Sequence, residues 1–183
     1  MALLKIARMG HPVLWQKAAV VDDPDAPAVQ RLVDHMIDTL ADADGVGLAA
    51  PQVHVSKRIV LVHPDRTETG GSPDVLINPE LVFVDDAMEL GLEGCLSIPG
   101  LRGVVPRHAR LTYRALNRQG QPIEGEALGF HARVLQHEVD HLDGVLYLNR
   151  MTDLSLLAFD SELKHLVAAL QPAPGGHDRE ETS

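Results

Sequence analysis

Residues Val134–Gly144 read VLQHEVDHLDG and place two histidines four positions apart, with a glutamate directly after the first. Residues four apart on an α-helix lie about 6 Å apart along its axis and share one face, so His137 and His141 can bind the same metal ion. Glu138 would then lie beside the ion and could take a proton from an attacking water. The stretch indicates either a metal-hydrolase site or a helix whose polar residues face solvent.

The apolar residues around this motif favour the metal site. Val134, Leu135, Val139 and Leu142 surround the histidines on more than one side of the helix predicted over His131–His141. A helix that is apolar on most sides is a buried helix. Buried histidine and glutamate side chains need partners, and a metal ion provides one.

Length and composition predict one domain that is neither exported nor membrane-bound. The chain has 183 residues, 45% of them hydrophobic, which is enough for one substantial core over residues 1–170. Residues 171–183 (QPAPGGHDREETS) predict a disordered tail. The net charge of -10 argues against direct DNA binding. The single cysteine, Cys95, excludes an intrachain disulfide, and there is neither a signal peptide nor a stretch of membrane-spanning length, so we expect a cytoplasmic protein.

Short β-branched runs bounded by Pro, Gly or Asp predict strands. These runs cover residues 58–63, 75–78, 81–84 and 110–116. The turn NRQGQP at 117–122 predicts a hairpin between the last run and the segment that follows it. Amphipathic spacing predicts a helix over Ala28–Ala43 and another over residues 154–170, and the glycines of residues 45–52 predict a structured loop. The order predicts an α+β fold, an antiparallel or mixed β-sheet packed around the central metal-binding helix.

The residue pattern leaves three candidates for the third metal ligand that a catalytic site usually has. A zinc endopeptidase of the His-Glu-x-x-His type would take it from downstream, where Glu162 and His165 are available. The upstream candidate is Cys95, although a lone cysteine is more often a small buried hydrophobe than a ligand.

Three segments together resemble the signature motifs of the peptide deformylases. They are GVGLAAPQ at Gly45–Gln52, EGCLSIPG at Glu93–Gly100 and QHEVDHLDG at Gln136–Gly144, in the family's order and with compatible spacing. The similarity extends from IARMGHPVL near the N-terminus to Met151. The resemblance implies a metal-dependent hydrolase that removes the N-formyl group from the formylmethionine of nascent polypeptides and releases formate.

The resemblance also implies a role for each motif residue. The implied metal ligands are Cys95, His137 and His141. A thiolate with two imidazoles suits Fe(II), Zn, Ni or Co, and one Fe(II) ion per chain is the native cofactor that the family implies. Glu138 would act as base and then as acid. The side-chain amide of Gln52 and the backbone N–H of Leu96 would stabilise the negative charge that develops on the formyl oxygen.

The substrate peptide is expected to lie as an added strand between the first two motifs. The expected peptide contacts are Val46, Gly47, Gly94, Arg102, Phe130 and Val134. Phe130 and Val134 would form walls of the methionine pocket, with ordinary core packing as the alternative. Arg102 would face the peptide beyond the methionine, with a solvated arginine as the alternative.

Asp140, between the two histidines, must be paired or solvated, and we expect Arg107 as its partner. The C-terminal helical segment has few basic residues, Lys164 and its neighbour His165, so we expect at most a transient contact with the ribosome. A deformylase-like domain that has lost activity and only binds peptide or a structural metal is the remaining alternative.

Overall fold

The computed structural model describes residues 2–64 and 71–170, and it has the predicted α+β architecture. The strands are β1 (Gly47–Ala49), β2 (Ile59–Val62), β3 (Asp74–Phe83), β4 (Met88–Cys95), β5 (Ile98–His108), β6 (Arg110–Leu116), β7 (Pro122–Leu128) and β8 (Leu157–Phe159). The α-helices are α1 (Pro27–Asp42), α2 (Gly129–Leu142) and α3 (Leu163–Leu170). Short 3-10 helices cover Pro12–Trp15, Ala50–Val53, Tyr147–Asn149, Leu154–Leu156 and Asp160–Glu162. The predicted tail, residues 171–183, lies outside the described residues.

The named strands pair antiparallel in two sheets that both contact α2. One sheet has the order β1-β2-β3-β6-β7 and the other the order β4-β5-β8. Leu135 and Leu142 of α2 pack with Val60 and Val62 of β2, and the alternate residues of β2 pack with α1 on the opposite face. The metal-binding motif therefore lies on a helix at the centre of the fold. None of the described helices is long and apolar enough to cross a membrane.

Several predicted elements are confirmed. Helix α1 begins and ends one residue before the predicted Ala28–Ala43, and α2 contains all of the predicted 131–141. Strands β2 and β6 lie where the β-branched runs predict them. The predicted hairpin joins β6 to β7, with Arg110 opposite Leu128.

Two predicted strands, residues 75–78 and 81–84, are in fact the single strand β3. The register of its pairing with β6 shifts near Asn78, which has a left-handed backbone (φ 53°), and Pro79, which has no N–H to donate. A β-bulge carries the strand past the proline. The sequence pattern treats the same proline as a strand end.

The predictions of a loop over residues 45–52 and of one helix over residues 154–170 are wrong in part. The loop contains β1, which pairs with β2. In the C-terminal segment only Leu163–Leu170 form an α-helix, because Leu157–Phe159 pair with Leu101–Gly103 of β5. Sheet pairing outweighs the helical spacing of the apolar residues there.

The sequence pattern does not predict the β4–β5 hairpin, because its glycines and prolines look like strand breakers. The glycines instead make room for long side chains. A Cβ at Gly91 would lie 2.6 Å from Cζ of Arg133, and one at Gly94 would lie 2.9 Å from Cδ of Arg102. The arginine side chains that pack over the strand therefore explain these glycines, whereas intrinsic propensity alone predicts turns there.

Candidate active site

Cys95, His137 and His141 come together around one point. Their ligand atoms lie within 4.8 Å of one another, and Sγ of Cys95 is 3.3 Å from Nε2 of His141. Both histidines are buried, His141 completely. Glu162 and His165, the third ligands expected for an endopeptidase, are exposed and lie 3.9 Å from each other. The fold therefore assembles the thiolate and the two imidazoles.

The two elements present these ligands in different ways. Helix α2 brings its histidines to one face by the i, i+4 spacing. In the hairpin, β4 and β5 pair regularly up to Gly94 and Arg102, but Cys95 pairs with Ile98, so residues 99–101 bulge out of the ladder. Bulges of this kind change the direction of a strand and of its side chains. Here the bulge lies directly beside the cysteine.

Glu93 holds the first histidine in place. Its carboxylate accepts hydrogen bonds from Nδ1 of His137 (2.8 Å), from Arg133 (2.8 Å) and, through both oxygens, from Arg107 (2.9 and 3.0 Å). Burial raises the pKa of Glu93, but the bonds from His137 and Arg107 outweigh it and lower the pKa to about 2. Because Nδ1 of His137 donates to this carboxylate, Nε2 is left for a metal ion.

The expected pairing of Asp140 with Arg107 is confirmed. Oδ2 of Asp140 lies 2.6 Å from Nη1 of Arg107, and both side chains are buried. Arg150 adds a second cation, with Nη2 2.7 Å from Oδ1 of Asp140. Arg107 therefore bonds both Glu93 of the hairpin and Asp140 of α2, and so joins the two ligand-bearing elements.

Glu138 is a buried carboxyl group next to the ligands. Burial raises its pKa to about 7, although the neighbouring His137 and His141 act in the opposite direction. Among the described residues, its Oε2 atom has no hydrogen-bond partner. A Cβ at Gly47 would overlap its carboxyl group, 2.8 Å from Cδ, so the absence of a side chain there is what leaves room for it.

A cleft of about 700 Å³ reaches these groups from the surface. Gln52, Cys95, Leu96, His137 and Glu138 all line it, whereas His141 lies beneath them. Oε1 of Gln52 accepts a hydrogen bond from the backbone N–H of Ala49 (2.8 Å), which turns Nε2 to within 3.5 Å of Sγ of Cys95. The cleft thus contains three residues that could hold a metal ion, a carboxyl group with one oxygen unbonded among the described residues, and an amide donor.

Comparison with known proteins agrees with this arrangement. A family model described as polypeptide deformylase matches residues 3–156. The chain belongs to the polypeptide deformylase family. Its function is that of the family, the metal-dependent removal of the formyl group from N-formylated peptides.

Its relatives are similar over most of their length. Peptide deformylase 1 of Bordetella pertussis is 46% identical over 165 residues, which are 86% of this chain and 93% of the relative. Peptide deformylase of Desulfitobacterium hafniense is 48% identical over 152 residues, 82% of this chain and 95% of the relative. The crystal structure of a class I type b peptide deformylase from Acinetobacter baumannii is 38% identical, with a TM-score of 0.78 over 82% of this chain and all of that one.

The residues expected to contact peptide in this deformylase all lie on the cleft. They are Val46, Gly47, Gly94, Arg102, Phe130 and Val134. Val134 is buried and also belongs to the core around α2, whereas Phe130 is 36% exposed at the start of that helix. Arg102 is partly exposed and donates to Asp160 across the rim (3.0 Å).

Sequence reasoning missed three cleft residues of this deformylase. The sequence pattern contains Glu93 only as part of the second motif, and it assigns no role to Arg133 or Arg8. A carboxylate two positions before a candidate ligand is a usable signal for Glu93, and the one arginine of α2, one turn before His137, is a usable signal for Arg133. No local signal marks Arg8, because its contacts lie 88 positions away along the chain.

Proposed function

We propose that this deformylase acts on the N-terminal formylmethionine of nascent polypeptides and releases formate, using one divalent metal ion held by Cys95, His137 and His141. The observation that best supports the proposal is the convergence of three distant segments on one cleft. These segments bring Gln52, the ligand set and Glu138 together. The proposed native ion is Fe(II), with Zn, Ni or Co able to replace it.

The donor set fits such an ion. Burial raises the pKa of the Cys95 thiol, but His141 and His137 beside it lower the pKa to well below its usual range, which favours the thiolate. One thiolate and two imidazoles suit Fe(II) and its later first-row neighbours. When bound, the ion would polarise the formyl carbonyl and lower the pKa of a water molecule.

Glu138 is proposed to move the proton. Near neutral pH, a carboxyl group whose pKa is about 7 is present both as carboxylate and as acid, as a residue that is first base and then acid requires. It would accept the proton of the attacking water and deliver it to the nitrogen of the departing methionine. Its unpartnered Oε2 atom is free for that proton.

Gln52 and Leu96 are proposed to bind the oxygen on which negative charge develops. The bond from Ala49 N–H fixes which end of the Gln52 amide is the donor. The N–H of Leu96 belongs to the peptide bond that follows Cys95, so it lies next to the ligand set. Donors fixed before the reaction stabilise the transition state without a reorganisation cost.

The peptide is proposed to extend along the backbone of Val46, Gly47 and Gly94, as a strand added to the edges of the two sheets. The methionine side chain would enter the apolar part of the cleft between Phe130 and Val134. Arg102 would contact the peptide beyond the methionine, and its bond to Asp160 would hold the guanidinium at the rim.

The proposed setting is the cytoplasm, where formylated nascent chains are made and a reducing environment preserves Fe(II) and the thiolate. We propose no binding to DNA or to membranes. Contact with the ribosome would be transient, because basic residues are few in the C-terminal segment, which has Lys164 and His165.

The testing experiment measures formate release from N-formyl-Met-Ala-Ser by protein purified without oxygen. Glu138→Gln and Cys95→Ser are assayed in parallel, with metal content determined for each. We expect release by the parent, retained metal without release in Glu138→Gln, and loss of both metal and release in Cys95→Ser.

Two outcomes would contradict the proposal. An inactive parent that carries a full complement of metal would refute the activity. An active Cys95→Ser variant with a full complement of metal would refute the ligand set.

A further inference from the structure

A short N-terminal segment, Ala7–Met9, connects the two parts of the chain that supply the proposed oxyanion donors. The N–H of Ala7 donates to the carbonyl of Gln52 (2.7 Å). The N–H of Met9 donates to the carbonyl of Ser97 (2.9 Å), in the turn between β4 and β5. Residues separated by 45 positions in sequence are therefore tied to one extended segment.

Arg8, between these two residues, binds the same turn through its side chain. Its Nη1 atom donates to the carbonyl oxygen of Leu96 at 2.5 Å. The other end of that peptide group, the N–H of Ser97, lies 3.4 Å from Sγ of Cys95. One peptide group thus stands between the guanidinium and the ligand sulfur, and a cation on its oxygen makes its N–H a stronger donor.

The segment itself is firmly held. Ala7 is buried in the cluster that contains Ile98 and Tyr147, on the inner side of the hairpin. Further along, the rings of His11 and His54 make an edge-to-face contact with centroids 4.6 Å apart. A fixed segment can hold the turn in place, whereas a loose one could not.

We propose that Arg8 is a positioning residue of the deformylase. Through Leu96 it would fix the turn that carries the second oxyanion donor, and through the Leu96–Ser97 peptide group it would strengthen the hydrogen bond to the metal-binding sulfur. The inference rests on the proposed roles of Gln52, Leu96 and Cys95. Arg8 is exposed at the rim of the cleft, so its removal is expected to leave folding intact.

The test compares Arg8→Met with Lys5→Met, which removes the same charge from an exposed side chain two residues before the segment. With N-formyl-Met-Ala-Ser, we expect kcat of Arg8→Met to fall about tenfold, as for other residues that orient ligands, with KM within about twofold and metal content unchanged. Arg8→Lys keeps a cation within reach of Leu96 and is expected to recover part of kcat. Lys5→Met is expected to match the parent.

A second measurement does not depend on activity. Parent, Arg8→Met and Lys5→Met are loaded with Co(II), and the sulfur-to-cobalt charge-transfer absorption is recorded. A weaker Ser97 N–H bond to the sulfur should shift this band in Arg8→Met alone.

The outcomes separate the two proposals. An inactive, metal-loaded parent would overturn the proposed function. With an active parent, an unchanged kcat and an unchanged Co(II) band in Arg8→Met would overturn the role of Arg8. A higher KM at constant kcat would also overturn it, because Arg8 would then act by binding peptide.

Discussion

The two regions that carry the proposed metal ligands, helix α2 and the β4–β5 hairpin, hold them in opposite ways. In α2 the register of one helix sets the distance between His137 and His141. In the hairpin, Cys95 lies at the end of a strand, beside a bulge in the opposite strand. The helix needs no distant partner to bring its two ligands together. The hairpin needs one to bring its single ligand, Cys95, to the histidines.

The partner is the buried ion network through which Arg107 bonds Glu93 of the hairpin and Asp140 of the helix. Buried ion pairs add little net stability over apolar packing, but breaking one leaves a charge without compensation. The network therefore matters for where the cysteine lies relative to the histidines. Four variants test this, in order of decreasing effect.

The first prediction concerns Arg107→Met, which leaves the buried carboxylates of Glu93 and Asp140 with fewer cations. The free energy of unfolding should fall by about 3 kcal/mol or more, the usual loss when one member of a buried pair is removed. Urea denaturation of metal-free protein measures it. Arg110→Met is the matched control, because Arg110 pairs with Glu126 on the surface and its removal should cost below about 1 kcal/mol. Equal losses in the two variants would show that the buried network contributes no more to stability than a surface ion pair.

The difference between local spacing in α2 and distant contacts in the β4–β5 hairpin also explains how much of the fold the sequence predicts. Helix α2 follows from local spacing, and so does the β6–β7 hairpin, whose turn is marked in the sequence. The β4–β5 hairpin depends on Arg133 and Arg102 lying over Gly91 and Gly94, and these contacts join residues far apart in sequence or on opposite strands. Local propensity carries no information on such contacts, so β4 and β5 cannot be predicted from the sequence pattern.

The second prediction concerns Glu93→Gln. The amide replaces Oε1, the acceptor for Nε of Arg107 and for Arg133, with an NH2 group, and loss of the negative charge weakens the bond from His137 to the other oxygen. Affinity for Zn or Co(II) should fall about 10- to 100-fold, the usual effect of losing a group that orients a ligand. Competition with a chromophoric chelator measures it, and Glu126→Gln, a surface change in β7, is the control. Parent affinity in Glu93→Gln would show that the helix orients His137 without help.

The residues of the candidate site also divide into those that local spacing predicts and those that depend on distant segments. The i, i+4 spacing alone points to His137, Glu138 and His141. The residue pattern leaves Cys95 as one candidate beside Glu162 and His165, and only the resemblance of three motifs favours it, since a lone cysteine has no local signature. The sequence pattern does not identify Glu93 and Arg133 as site residues, because spacing does not predict hydrogen bonds between distant segments.

The third prediction tests the helix side through Gly47→Ala. The backbone of Gly47 suits any residue, but the added Cβ would overlap the carboxyl group of Glu138 and force it to move. We expect kcat to fall about tenfold while metal content and thermal midpoint stay near those of the parent, because the ligands are untouched. Steady-state assays at saturating peptide, with metal analysis, check this. Loss of metal instead would mean that moving Glu138 also moves the histidines.

The smallest effect is expected for Asp143→Asn. This change removes the ion pair between Asp143, the residue after α2, and Arg58, the residue before β2 (2.7 Å). Asp143 is 43% exposed, so solvent screens the pair, and its loss should cost about 0.2–1 kcal/mol. Metal affinity should not change, because burial holds both histidines and Glu93 also holds His137. Urea denaturation and the chelator assay measure both quantities. A loss of affinity comparable to that of Glu93→Gln would reverse the comparison, since the anchoring of the helix end would then control the metal site.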